Sequence, residues 1–232
     1  MVIQEEGRLP VMSPTPTHRP PALQSRSRET RKRILDAALA ILRESGAEAL
    51  STTNVSEVAG VAVGSIYRRF GNKQQLLLAT QAEFVRTFQG GFAARLGEFP
   101  AEGAGVSPPA AFAHAAKSLV RQFESGTQEM RVLLLLGLQN AEIFEAGRQA
   151  SLIGGRAYAE FLLRHRSAIR RPDPDQAVDY THRLLYAACS HRITQGSDVE
   201  SERRLGWDEL AHELAETVCA YLMTPPWLPM PS

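Results

Sequence analysis

At 232 residues and 44% hydrophobic content, the chain suits one or two domains and can bury a proper core. Its net charge of +1 excludes a general polyelectrolyte attraction to nucleic acid, and no run of 18 apolar residues exists to span a bilayer; Leu133–Leu138 is far too short. The charge is uneven, with 10 basic and 6 acidic residues from Arg26 to Gln89 (+4) and 14 and 17 from Gly90 to Ser232 (−3), as a protein with one DNA-facing end should show.

Residues 1–27 carry Pro10, Pro14, Pro16, Pro20 and Pro21 among Ser, Thr and Arg. Such a segment can neither propagate a helix nor bury enough surface to offset its ordering entropy, so a disordered arm is expected. The alternative is an arm whose Arg19, Arg26 and Arg28 follow a DNA backbone or enter a minor groove. The arm is Pro-rich where a signal peptide would be apolar, which points to the cytoplasm. A first helix is expected from Arg28 to about Ser45, with Ile34, Ala38, Ile41 and Leu42 on one stripe and Gly46 ending it. Arg28, Arg31 and Arg33 then fall in its first turns, where cations oppose the helix dipole; a nearby phosphate would account for them.

The stretch STTNVSEVAGVAVGSIYRRFGNK, Ser51 to Lys73, reads as two short helices and a tight turn. The first carries Val55, Val58 and Ala59 on one face, with Ser51 or Thr52 as its N-cap and Gly60 as its left-handed C-cap. The second starts near Val63, with Ile66 and Phe70 inward and Ser65, Tyr67, Arg68 and Arg69 outward. Helix, short Gly-containing turn and polar-faced second helix make a helix-turn-helix. Gly64 and Ser65 are small enough to let that helix approach the floor of a major groove. Asn72 can cap the next helix, so that Lys73 and free N–H groups converge on one phosphate. The same spacing also fits a helical hairpin in an ordinary all-α core with a solvated basic face.

AGVAVGSIYRRFGNKQQLL resembles the recognition-helix signature of the tetracycline-repressor (TetR) family of bacterial transcription regulators. Ala59, Gly60, Val61, Gly64, Ser65, Ile66, Tyr67, Phe70, Asn72, Lys73 and Leu76 fall in place. TRKRILDAALAILRESGAEALS, Thr30 to Ser51, is similar to the family's first helix and exit glycine, so the likeness runs from about Arg28 to Leu78. Two positions depart. Ala62 stands where the family usually has a capping Ser, at a cost of about 1 kcal/mol. Val63 stands where many relatives reach a base with a polar side chain, which leaves contact with a thymine methyl as the substitute. Lys73, Tyr67, Ser65 and Thr52 are expected to hold phosphates; Thr53, Val63, Gly64 and Arg69 are expected to face bases, and Arg68 to add charge.

A longer helix is expected from Lys73 to about Gln89 through Leu76, Leu77, Ala79, Phe84 and Phe88; in the family it connects head to body. Pro100 to Pro109 reads as a loop. Five helices should follow: Pro109–Glu124, Gln128–Gln139 with Leu133–Leu136 buried centrally, a third capped by Asn140 and running to about Arg166, Asp175–Thr194, and about Glu200–Met223. The expected fold is all-α with about nine helices: an arm at 1–27, a helix-turn-helix domain at 28–73, a helical effector-binding and dimerisation domain at 74–224, and a tail at 225–232.

The resemblance implies a ligand pocket in the body. Its expected lining is Phe112, Leu119, Phe123, Leu135, Phe161 and Leu185, with Gln139, Asn140 or His182 as orienting groups. Small residues beside leucines on the last two helices, Ala177, Thr181, Leu184 and Ala188 with Leu210, Leu214, Val218 and Tyr221, suit a four-helix interface between two subunits. Cys189 and Cys219 read as small core residues, with a redox role as the alternative. Asp179 and His182 supply two metal ligands at most, so no metal or cofactor is expected. No catalytic motif appears, and no enzyme activity is expected. The reading is a homodimeric repressor that binds a palindromic double-stranded operator and is released by a small, largely apolar effector, with no membrane partner. Its rivals are an all-α small-molecule-binding enzyme with a vestigial helix-turn-helix, and an architectural DNA binder that answers to no effector.

Overall fold

Helix boundaries in this chain follow the side chains that can occupy the free N–H groups of a first turn. The computed structural model describes residues 21–100, 106–199 and 201–228. Among them lie α1 (Pro21–Ser45), α2 (Thr52–Ala59), α3 (Val63–Phe70), α4 (Lys73–Gly97), α5 (Pro108–Ser125), α6 (Thr127–Gly137), α7 (Ala141–Leu162), α8 (Pro174–Gln195) and α9 (Trp207–Met223). A 3-10 turn, Leu163–Ala168, follows α7, and the described residues contain no strand. The fold is all-α, as expected. No helix is long and apolar enough to cross a membrane among the described residues.

Caps were the most local of the expectations. Ser51 accepts from Asn54 N, Asn72 from Gln75 N at 2.8 Å, and Asn140 from the amides of Glu142 and Ile143. Other boundaries moved. The helix α1 begins at Pro21, seven residues before the expected start, because proline in a first turn gives up an N–H that would be unpaired anyway. The 27/28 boundary of the disordered arm therefore falls inside a helix, and Arg28, Arg31 and Arg33 sit well clear of its first turn. These three arginines therefore do not oppose the helix dipole, and no phosphate is needed to account for them. The rest of the arm, with Arg19, lies outside the described residues. So does part of the loop after α4 and the end of the tail.

The helix α4 runs through Gly90 and Gly91 to Gly97. At Gly91 the missing side chain serves a close approach, since a Cβ there would stand 2.7 Å from Gln122 Oε1 on α5. The last helix starts at Trp207 rather than near Glu200. Gly206 donates its N–H to Glu209 Oε2 at 2.7 Å, and Asp208 and Glu209 suit the positive end of the dipole.

Two apolar cores result. The head core holds Ile34, Leu42, Leu50, Val55, Ile66, Phe70 and Leu76. The body core is built on α5 against α9, and holds Phe112, Ala116, Leu119 and Phe123 together with Ala211, Ala215 and Val218. They adjoin at α6 and α7: Ile143 belongs to the head core, while Val132 and Leu136 pack against it. Central burial of Leu133–Leu136 is corrected by this arrangement. The short helix α6 is wedged between two cores, so only Leu133 is fully buried and Leu135 is left 43% exposed. In α2, Val58 is 60% exposed instead of inward.

The expected dimer stripe is also corrected. Ala177, Thr181, Leu214 and Val218 are buried inside this subunit, where small side chains let α8 and α9 close on the body core. Thr181 Oγ1 lies 3.3 Å from the Tyr158 hydroxyl, inside that core. Ala188, Leu210 and Tyr221 are partly buried against the same core, and Leu184 is partly exposed.

Candidate nucleic-acid interface and the cavity behind it

The turn between α2 and α3 is set by Gly60, whose φ of 61° is left-handed. It is also clamped from α1. Arg33 Nη2 donates to the carbonyls of Ala59 and Gly60 at 2.7 and 2.8 Å, and its Nε donates to Ala59. The expectation that Arg33 points at a phosphate is thereby corrected: its guanidinium fills the orphan carbonyls at the end of α2. Arg31 lies over the Phe70 ring, 5.3 Å from its centroid, and closes the far end of α3.

With Ile66 and Phe70 buried, α3 turns Gly64, Tyr67 and Arg68 to solvent, and Val63 and Ser65 are partly exposed. Tyr67 is 51% exposed, and its hydroxyl lies 3.4 Å from Thr52 Oγ1, so these two oxygens form one polar edge. Thr53 is exposed beside them. Ala62 makes no side-chain cap bond, although its carbonyl accepts from Ser65 N at 2.8 Å. Lys73 is exposed at the first residue of α4, directly after the Asn72 cap. Arg69 departs from expectation. Its Nη1 donates to Ser65 O at 3.1 Å and its Nε is buried, so it folds back along α3 instead of reaching outward.

Behind the head, α4 is tied to α7 by three glutamines. Gln74 Nε2 donates to Glu142 Oε2 at 2.9 Å, and Asn140 Nδ2 donates to Gln74 Oε1 at 3.2 Å. Gln81 Nε2 donates to Ile143 O at 2.9 Å and Gln89 Nε2 to Ala150 O at 3.2 Å. Beside this seam lies a cavity of about 330 Å³, walled by Phe84, Phe88 and Phe92 of α4, Leu119 and Phe123 of α5, and parts of α6, α7 and α8. Burial holds the His182 imidazole below its ordinary pKa, with Asp179 opposing and Arg183 adding to the effect. At the rim, Arg148 grips Glu145 through both nitrogens and holds that carboxyl down to about 2, helped by Gln149.

Residues 34–80 match the model of bacterial regulatory proteins of the tetR family. Over 60 residues the chain is 53% identical to the HTH-type transcriptional repressor KstR of Mycolicibacterium smegmatis, a stretch covering 25% of this chain and 29% of that repressor. The likeness to that family's sequences therefore lies in the head, and it spans less than a third of the length of the repressor matched. A 52-residue stretch is 46% identical to the uncharacterized HTH-type regulator YvkB of Bacillus subtilis, over 22% of this chain and 28% of that one. The whole fold is similar to that of Salmonella enterica GusR, with TM-score 0.60 at 20% identity, over 84% of this chain and 95% of that chain. A Saccharomonospora viridis protein in complex with choline gives TM-score 0.62 at 15% identity, over 82% of this chain and 96% of that one.

Most of the residues expected to face DNA are exposed or partly exposed on α2, α3 and the first residue of α4. The expected pocket residues divide differently. Leu119, Phe123 and His182 line the cavity. Phe112, Phe161 and Leu185 are closed into the body core, Leu135 faces outward, Gln139 is exposed, and Asn140 is taken up as a cap. Sequence reasoning missed Gln74, Gln81 and Gln89. Their spacing of seven and eight residues, which returns them to one face of α4, was the available signal.

Proposed function

We propose that this chain is a DNA-binding transcriptional repressor that pairs as a homodimer on a palindromic operator and lets go when a small, largely apolar effector fills the cavity. The observation that carries this reading is the exposed edge of α2 and α3, with small residues at the start of α3, a paired Tyr67 and Thr52 beside them, and Lys73 at the next helix start. In that role Lys73, Tyr67, Ser65 and Thr52 hold phosphates, while Thr53, Val63 and Gly64 meet base edges and Arg68 adds charge. Arg69 joins the base contacts only by leaving Ser65 O. The outer face of α8 and α9, where Tyr180 is 49% exposed, is the pairing surface.

The curated relatives support repression, since KstR shares the head, and the choline complex of a similarly folded protein supports a small-molecule role for the body. The cavity borders α4, whose first residue is Lys73, so an occupant that shifts α4 re-spaces the two heads. The effector must bind the DNA-incompetent state more tightly, by about 1–3 kcal/mol for a typical coupling.

Lys73→Ala tests the head directly. Binding measured by fluorescence anisotropy across a salt series should weaken for every duplex, and the slope of log K against log salt should flatten by about one. An unchanged slope removes Lys73 from the phosphate contacts.

A further inference from the structure

A buried amide needs partners at both of its ends. Gln81 is 3% exposed and lines the cavity. Its bond to Ile143 O fixes which end is which, because a carbonyl only accepts, so the nitrogen must face α7. That leaves Oε1 buried with no partner. Arg69 Nε and Ser190 Oγ share this condition among the described residues, but neither residue lines the cavity.

Charge is scarce on the same wall. Arg148 is its one ionised side chain, and Glu145 occupies two of its nitrogens. Burial disfavours the charged form of His182. No carboxylate lines the wall and Glu145 already occupies most of Arg148, so a buried carboxylate or primary ammonium would be poorly paired there, which is strongly disfavoured. The cavity of about 330 Å³ is about twice the roughly 150 Å³ that admits one benzene ring.

Resting on the cavity as the effector site, we infer that the effector is an uncharged, mainly apolar molecule on the scale of two rings, bearing one hydrogen-bond donor that Gln81 Oε1 accepts. The donor completes the amide, and the rest of the molecule spreads over Phe84, Phe88 and Phe123. Gln81 sits on α4 and is bonded to α7, so the same contact loads the seam between them.

Calorimetric titration of the full chain with 2-naphthol, naphthalene and 2-naphthoate tests this. Binding of 2-naphthol should be at least tenfold tighter than that of naphthalene, with 2-naphthoate weakest. Gln81→Met keeps the length but removes the acceptor, and should erase the advantage of 2-naphthol over naphthalene. The ranking in the unaltered chain stands as evidence even if that variant folds poorly. Gly154→Leu controls for location: Gly154 lines the cavity, and a Cβ there meets nothing within 4 Å, so leucine should fill the space and block all three. Equal binding of 2-naphthol and naphthalene, or tightest binding of 2-naphthoate, each lost in Gly154→Leu, overturns the donor proposal and leaves the cavity as the site. No binding at all, or binding that Gly154→Leu leaves intact, overturns the cavity reading and the proposal with it.

Discussion

Burial packs the His182 ring 5.6 Å from that of Tyr158 and 6.3 Å from that of Tyr186, and it costs the imidazolium more than the neutral ring. The folded pKa therefore lies below the ordinary 6.5, and the unfolded chain takes up this proton first as pH falls. Stability from this group is complete above about pH 6.5 and declines below it. Urea midpoints measured from pH 7.5 to 5.5 should fall, and His182→Gln should flatten that fall; an identical slope in the variant would contradict the burial argument. Cys189 follows the same physics, its thiol pushed up to about 12 by burial, so the core role expected of it is the one its surroundings support. Caps such as Ser51, Asn72 and Asn140 were legible because capping chemistry spans three residues. Gln81 was not, because an amide on a helix that carries other polar residues looks like a solvated position until the partner helix is in place.

Among the elements, the α2–α3 turn depends on a residue from outside it. Arg33 gives its guanidinium to two carbonyls at the end of α2, a bond set that a linear reading of α1 assigns to phosphate. Arg33→Met keeps the stem and removes those donors. It should cost the head about 1 kcal/mol, since the site is partly solvated, and should weaken DNA binding with the salt slope preserved. A variant that lost slope instead would restore Arg33 to the backbone contacts. Helices with one apolar stripe, such as α5, were legible from period alone. The helix α6 was not, because it serves two cores and its apolar residues split between them. The stripe on α8 and α9 misled for a related reason: small residues permit close approach, and periodicity does not say whether the neighbour is α5 or a second subunit.

For the molecule as a whole, a basic first part and an acidic remainder follow from the sequence, and the all-α class was readable from its helical periods. What the sequence left hidden is how the halves are fastened, since Gln74, Gln81 and Gln89 find partners more than sixty residues away. Those bonds join α4 to α7 alongside the cavity, so a movement of α4 against α7 must strain them. Insertion of α3 into a duplex by a paired molecule is the claim on which this picture depends. Footprinting the full chain on fragments selected from its own genome at moderate salt addresses it most directly. Two protected segments on one face of the duplex are predicted, their centres about 10–10.5 base pairs or a multiple apart. A chain that stays monomeric and enriches no fragment over bulk competitor would contradict it.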